Sequence, residues 1–471
     1  MPQLLEAGAA FVASVENPVT QSILDFLAGQ EKERRDDYAL FRRYYGGDHP
    51  TRLTDRMQRF VNSKLKFTDN FTEVVVDALA ERLTVSTFHS QKDTVSDWAW
   101  KVWTANRMDQ VQAEVHTDAL MLGDSYVLVD FDSMTGLPRF THQLAETIIP
   151  HYNEQTGMID VLSKKWMERP EFQAEPRTRL NLYFPDRIEK FVAVGGRWVP
   201  FQDPGDSGFP LPFVAKDGTP LGIPVFHFVN KPAGGRFGRS EIENVIPLQD
   251  VLNKHLIDLV LVNDGTGFRL PFTVNIAHGA TALDMVPGVL LDMKAEDDQN
   301  FEVGELPPGS PEGIIKSIEL ITQHIAGISR TPQHLFQVAG DSPSGEALKT
   351  AESGIVKKAE KRQTNFGNSW EDCLMMGLKL QATFGTAVPG AEKDTHFSTV
   401  WKDPETRNQE SFIRSLEGKQ RLGIPMRQLW REMGYNQEQI EQMEKDLEDE
   451  EVRSQNVGGA LLRAFEGGQT P

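Results

Sequence analysis

One cysteine, Cys373, stands in a chain of 471 residues. That excludes an intramolecular disulfide framework and a zinc site built from several cysteines. Its neighbours Leu374, Met375 and Met376 give it the setting of a small buried hydrophobe rather than a reactive thiol. Long apolar runs are also missing: no stretch approaches the roughly 18 residues read as a membrane-spanning helix. The opening MPQLLEAGAAFVASVENP has no basic n-region, so no secretory signal is expected. Positive charge is scarce. The chain has 49 Lys and Arg against 68 Asp and Glu, a formal net charge of −19. At first sight this argues against a nucleic-acid partner, because phosphate is bound by Lys and Arg.

The common catalytic signatures are absent as well. There is no G-x-x-x-x-G-K-[ST] loop, and the eleven histidines show no H-E-x-x-H spacing. Neither P-loop ATP hydrolysis nor zinc catalysis has support, and no metal or cofactor is expected. Gly234-Gly235-Arg236-Phe237-Gly238-Arg239-Ser240 is glycine-rich and precedes helical sequence, so its backbone could approach a phosphate. The lysine that would reach the phosphates is missing, and the segment reads as a turn.

What is present is ordinary globular composition, 39% hydrophobic and 25% charged, in a length that implies two or more domains with sizeable cores. Ile23, Leu24, Leu27, Tyr38, Phe41 and Tyr45 recur at helical spacing until Gly46-Gly47-Asp48-His49-Pro50 breaks the pattern. Between Arg42 and Lys66 there are seven basic residues and two acidic ones, against the trend of the chain. Asn70 suits an N-cap, with Glu73 at the capping-box position, for a helix carrying Phe71, Val74, Val75, Ala78, Leu79 and Leu83. A single helix is expected from Trp98 to Leu122, turned by Gly123-Asp124-Ser125 into a strand from Tyr126 to Phe131. Strand-like runs follow around Ile148, Ile159, Leu180 and Val225, separated by Gly and Pro, so this part reads as α+β.

A long helix is expected from Pro247 to Asp264. Leu248, Val251, Leu252, Leu256, Leu259, Val260 and Val262 leave it little polar circumference, so both of its sides should be packed. The insert 265–310 holds two strand-like pieces, Pro271 to Val274 and Val289 to Asp292, with seven acidic residues against two basic. A second helix, from Pro311 to Gly327, sets Ile314, Ile315, Ile318, Ile321 and Ile325 on one stripe. Two helices joined by a small insert suggest a hairpin with a lobe at its tip. After a Gly-, Pro- and Ser-rich loop from Gln337 to Ser344 comes the longest amphipathic pattern of the chain, Leu348, Ala351, Ile355, Ala359, Phe366, Trp370, Leu374 and Leu378, with Ser344 as its N-cap. Helices near 406–421, 425–433 and 437–453 follow, then a small polar tail expected to be disordered. The run from Glu438 to Arg453, with eight acids and two bases, reads as a solvated helix face.

Gly123-Asp124-Ser125 is similar to the nucleophile block of a family of serine hydrolases, and a hydrolase built around Ser125 is the alternative from another functional class. Against it, no Asp-x-x-His partner stands near the C-terminus, and the only late histidine is His396. A helix-to-strand turn with a capping Asp accounts for the same residues.

The order of segments resembles the portal proteins of tailed bacteriophages, in the branch found in long-tailed siphophages. The resemblance rests on Tyr44-Tyr45-Gly46-Gly47-Asp48-His49, on Asn70 with Val74-Val75-Val76-Asp77, and on Gly123-Asp124-Ser125-Tyr126. It continues through Ile223-Pro224-Val225, Phe228-Val229-Asn230, Gly238-Arg239-Ser240-Glu241-Ile242-Glu243 and Leu248-Gln249-Asp250-Val251-Leu252-Asn253. It closes on Thr331-Pro332 and Pro343-Ser344-Gly345-Glu346-Ala347-Leu348-Lys349.

The resemblance implies an α+β portal fold in a closed ring, usually of about twelve copies, at one vertex of the capsid. Residues 1–239 would be an N-terminal arm and α+β wing, 240–264 the first stem helix, 265–310 a small clip and 311–330 the second stem helix. Residues 331–385 would be the tunnel loop and long wing helix, 386–454 a helical crown and 455–471 the tail. Stem packing falls to Leu248, Val251, Leu252, Leu256, Leu259, Ile314, Ile318, Ile321 and Ile325. The clip, with Arg269, Asp284, Asp292, Lys294, Glu296, Asp297 and Asp298, would dock the terminase and later the head-completion adaptor. The tunnel loop would be Gln337, Val338, Ala339, Gly340, Asp341, Ser342, Pro343 and Ser344. Implied partners are further copies of the chain, double-stranded DNA bound without sequence preference, terminase, adaptor, major capsid protein and scaffolding protein, with no membrane. The implied location is the virion, and the host cytoplasm during assembly. Another head–tail connector or capsid protein is the neighbouring alternative.

A channel for moving DNA must not grip it, since each basic group held against phosphate adds affinity. Lys349, Lys357, Lys358, Lys361 and Arg362 are the candidate DNA-facing basic residues, interspersed with Glu346, Glu352 and Glu360. The alternative for them is the mixed-charge outer face of an amphipathic helix. The loop has no Lys or Arg, so contact there would be steric or through backbone and hydroxyl groups. The acidity therefore argues against a protein that holds DNA and is compatible with one that lets it pass.

Overall fold

The computed structural model describes residues 18–50, 68–169, 175–232, 237–266, 270–274, 302–306, 311–336, 345–392, 394–405, 409–433, 435 and 439–450. Helix α1 (Pro18–Tyr45) leads to α2 (Phe71–Ala80), strand β1 (Val85–Ser90), α3 (Asp93–Ala105), α4 (Met108–Leu122) and β2 (Asp124–Asp132). Strands β3 (Leu137–Gln143), β4 (Ile148–Tyr152), β5 (Ile159–Glu168), β6 (Arg177–Tyr183), β7 (Arg187–Val194), β8 (Arg197–Pro200), β9 (Leu211–Pro212) and β10 (Val225–Val229) follow. Then come α5 (Ile246–Thr266), β11 (Leu270–Val274), β12 (Glu302–Leu306), α6 (Glu312–Ser329), the 40-residue α7 (Gly345–Phe384), β13 (Phe397–Trp401), α8 (Gln409–Arg421) and α9 (Met426–Glu432). A last helical stretch covers 439–450. The expected tail lies outside the described residues.

Two compact units result. The larger comprises 1–42, 75–243 and 339–471, the smaller 43–74 and 244–338. In the larger unit a three-stranded antiparallel sheet runs β10-β2-β3, and α4 and α7 pack on it. A six-stranded sheet runs β4-β5-β6-β7-β8, with β9 paired to β7. Its side chains alternate between faces, as a strand requires. Leu180 and Leu182 of β6 join Ile149, Val161 and Phe191 in a core that Leu24 and Leu27 of α1 cover. A third sheet pairs β1 with β13, over three hundred positions apart in sequence. The range 386–454 therefore does not begin with its helices: 397–401 are a strand.

The helix expected from Trp98 to Leu122 is two helices. Asn106 interrupts them, donating from Nδ2 to the carbonyls of Val102 (2.8 Å) and Pro138 (2.9 Å) and accepting from the Phe140 N–H at 2.9 Å. A short polar side chain that bonds nearby backbone competes with the helical ladder. Here it also pins β3. Arg107 follows in the left-handed region at φ 53°. In α3, Val95, Trp98, Ala99, Val102 and Trp103 form the buried stripe. Trp103 meets Phe88 and Trp370 edge-on, each with ring centroids 5.0 Å apart. His116 is fully buried, and its Nδ1 donates to the Leu83 carbonyl at 3.0 Å while Nε2 accepts from the Trp370 indole at 3.0 Å. Burial pushes its pKa down to about 3, so the ring is neutral.

The smaller unit pairs α5 with α6 and β11 with β12. The expected strand near Val289 lies outside the described residues. The partner of β11 is instead 302–306, which carries Glu302 and Glu305 and so lacked a strand-like composition. The described residues 43–50 and 68–74, expected in the wing, group with this unit, and several of them bond to α5. Tyr44 donates to Asp250 Oδ1 (2.6 Å), and Gln249 donates to the Asp69 carbonyl (2.7 Å) and accepts from the Phe71 N–H (3.0 Å). His49 Nε2 donates to the Tyr44 carbonyl at 2.8 Å, which leaves Nδ1 to accept from Asn253 at 2.8 Å.

Gly123 ends α4 at φ 95°, and a Cβ there would lie 2.8 Å from the Gly238 backbone. Backbone cannot move aside as a flexible side chain can. Gly123→Ala is expected to cost on the order of 3 kcal/mol or more, from left-handed strain plus overpacking. Denaturant unfolding checks this, and an unchanged midpoint contradicts the close approach.

Candidate functional site

Two buried carboxylates organise the larger unit. Asp124, at the start of β2, accepts from Tyr38 (2.7 Å), His227 Nε2 (2.9 Å), the Gly238 N–H (2.7 Å) and Arg34. Burial pushes this carboxyl up, but His227, Arg34 and the Gly238 amide outweigh it and hold it below the usual range. Burial and the nearby Asp124 charge push the Tyr38 phenol well up, so it serves as a donor. Arg42 of α1 forms a second anchor, to Asp118 at 3.1 Å and to Glu146.

Glu241 is the second carboxylate, 3% exposed. Lys231 (2.7 Å), Lys358 (2.8 Å) and Arg362 (3.0 Å) converge on it. Asn230 completes the knot. Its N–H donates to the Gly123 carbonyl (2.8 Å), its Nδ2 to the Arg239 carbonyl (2.7 Å), and its Oδ1 accepts from Arg362. Gly238 touches Gly123 so closely that only glycine fits at either position. Three separated sequence blocks, 123–126, 228–230 and 238–243, are thus one site, and α7 is its fourth side.

That site corrects part of the expected basic face. Lys358 (8% exposed) and Arg362 (3%) are turned inward to Glu241, so their charges are not available to phosphate. Lys357 and Lys361, each about 100° round α7 from its inward-turned neighbour, are exposed. For Lys349 the described structure reaches only the backbone, within α7. The loop 337–344 and the clip residues Arg269, Asp284, Asp292, Lys294, Glu296, Asp297 and Asp298 lie outside the described residues.

The hydrolase alternative meets a geometric obstacle. Ser125 is fully buried in β2, between β10 and β3. Its Oγ lies 3.1 Å from His142 Nε2, and Asp118 lies 3.5 Å from that same nitrogen. A catalytic triad needs the carboxylate on the other ring nitrogen, to orient the base. Asp118 is bound to Arg42 besides.

In the smaller unit Leu252 and Ile325 are fully buried, whereas Leu248, Leu256, Leu259, Ile314, Ile318 and Ile321 are half-buried and Val251 is exposed. Ile315 leaves the expected stripe and is exposed, as are Leu320 (54%) and Ile328 (52%). Helix α6 therefore leaves large apolar side chains exposed at several angles round its axis.

The family described as phage portal protein, SPP1 Gp6-like, matches residues 24–453. The chain belongs to this portal family. Similar curated proteins are the portal protein of Mycobacterium phage D29, 24% identical over 420 residues (84% of this chain, 81% of the relative), and that of Mycobacterium phage L5, 24% identical over 422 residues with the same coverage. Among solved structures, a chain from the neck of a native gene transfer agent particle, computed with C12 symmetry, is 12% identical with TM-score 0.41, covering 75% of this chain and 84% of that one. A chain from the neck of the empty particle, computed with C6 symmetry, is 12% identical with TM-score 0.40, covering 70% and 81%. As a portal, the chain is a virion component at the head–tail connection.

Burial raises the Glu241 pKa, but Lys358 and Lys231 pull it down to about 2, from an ordinary 4.5. A depressed carboxyl stabilises the fold above its unfolded value and loses that contribution as pH falls through the folded one. The portal should thus lose stability between about pH 4.5 and pH 2 through this group. Glu241→Gln strands two buried cations and is expected to cost about 3–5 kcal/mol. Thermal melts across that pH range test both statements. If the variant and the unchanged protein keep the same difference at pH 7 and pH 2, Glu241 is not the titrating group.

Proposed function

We propose that about twelve copies close into a ring at one capsid vertex, and that double-stranded DNA enters and leaves the head through its bore. The observation that carries this is the set of large apolar side chains that α6 leaves exposed. In a single chain Ile315, Leu320 and Ile328 meet water. In a head-to-tail ring each stem helix has a neighbour on either flank, and a closing heterologous interface covers side chains exposed in the single chain. The acidic balance of the chain suits a bore that does not hold phosphate. Lys357 and Lys361, exposed one helical turn apart on α7 and flanked by Glu360 and Thr364, supply sparse positive charge of the kind that keeps DNA centred.

The insert 265–310 is the proposed docking site for terminase and then for the head-completion adaptor. Terminase would supply the energy of packaging, in keeping with a chain that has no P-loop. Assembly would take place in the host cytoplasm with scaffolding and major capsid proteins. The chain itself would be a conduit rather than an enzyme.

Native mass spectrometry should find an oligomer of about twelve 52.9 kDa chains. Leu320→Glu places a charge on the flank of α6 and should shift that population to monomer with the far-ultraviolet spectrum unchanged; an intact ring would remove α6 from the interface. Replacing Lys357 and Lys361 together by alanine should leave the ring intact and change the amount of DNA packaged per head. Normal packaging by that variant would count against a DNA-facing role for α7.

A further inference from the structure

The six-stranded sheet of the larger unit carries one cation that the portal role does not use. Lys164 of β5 stands directly across from Asn181 of β6 and Ile148 of β4. Its ammonium lies over the Trp166 ring, 4.9 Å from the centroid. It has no ion-pair or hydrogen-bond partner among the described residues. Other described lysines of comparable burial are paired: Lys165 with Glu31, Lys190 with Asp203 and Asp206, Lys231 and Lys358 with Glu241, and Lys254 with Asp258. The site has a second gap. Asn181 donates to the Tyr183 hydroxyl at 3.3 Å, but its Oδ1 is buried with no acceptor role filled among the described residues.

We propose that Lys164 is a modification site, an amine that reacts with activated acyl donors ahead of the chain's freely exposed lysines. Only a neutral amine is a nucleophile, and what keeps most lysines protonated is water or a carboxylate. Lys164 is half-removed from the first and lacks the second, which leaves the weaker pull of the Trp166 ring face as the contact that favours its charged form. Burial alone pushes its pKa down, with no carboxylate opposing the shift. With an acyl phosphate, the Nζ lone pair attacks the carbonyl carbon and a C–N bond forms. The C–O bond to phosphate breaks with its electron pair, and the amine proton passes to water. The product is a neutral amide, which removes the cost of burying the charge.

Brief exposure of the native full chain to acetyl phosphate at neutral pH, with peptide mass spectrometry, tests this. Lys164 should be acetylated several-fold faster than Lys357 and Lys361, which are more exposed, while Lys358 stays unmodified because it is buried and paired. Asn181→Asp puts a carboxylate directly across the ladder. It should slow Lys164 several-fold and leave Lys357 and Lys361 at their original rates. Labelling of Lys164 no faster than those two, an Asn181→Asp rate equal to that of the unchanged chain, or co-labelling of Lys358 would each overturn the proposal, the last by showing that reaction follows unfolding.

Discussion

One carboxylate holds the larger unit together where four parts of the chain meet. Glu241 takes Lys231 from the end of β10 and Lys358 and Arg362 from α7, while the Asn230 side chain bridges Arg362 and the Arg239 carbonyl. A buried ion pair is weak evidence of net stabilisation, because desolvation offsets much of the attraction. Breaking one is a different matter, because the orphaned charge stays buried. The cluster is therefore better understood as a specificity device. It admits one placement of α7 against β10 and rejects others that would leave a cation unmatched in the core.

The same logic explains the glycines and the polar residues around it. The Gly123–Gly238 contact brings two backbones within reach, which lets the Gly238 amide meet Asp124. Asp124 in turn binds Arg34 and Tyr38, which fasten α1 to the unit. The smaller unit uses neutral hydrogen bonds for the equivalent task, with Tyr44, His49 and the backbone around Asp69 bonded to Gln249, Asp250 and Asn253. Its helices leave apolar side chains in water. That pattern suits a unit completed by neighbouring copies, whereas the larger unit pairs the buried charges of Asp124 and Glu241 internally.

Much of this architecture was legible in the sequence wherever periodicity was long. The helices α5, α6 and α7 fall within two residues of their expected ends, because an apolar stripe sustained over many turns has few other solutions. The β10 strand was also visible, bounded by Pro224 and the 230–232 turn. Strands β1, β3, β7, β8 and β13 were not. β1 and β13 are short and pair with each other across more than three hundred positions, whereas β3, β7 and β8 pair with neighbouring strands but mix polar or charged residues with apolar ones, which blurs the alternation. The break at Asn106 was equally hidden, since the residue is unremarkable until Pro138 and Phe140 are brought beside it.

By itself, the sequence determined the class of protein and the order of its parts, since those depend on composition, on local turn chemistry and on patterns within a single element. The tertiary structure alone decided the allegiance of each charge. Lys357 and Lys358 are adjacent, and so are Lys361 and Arg362, yet one of each pair faces water and the other faces Glu241. Sequence gives a helical residue its angle around the axis but not what stands opposite it. One buried carboxylate, Glu241, more than a hundred positions away, settles which of these basic groups are spent inside the fold.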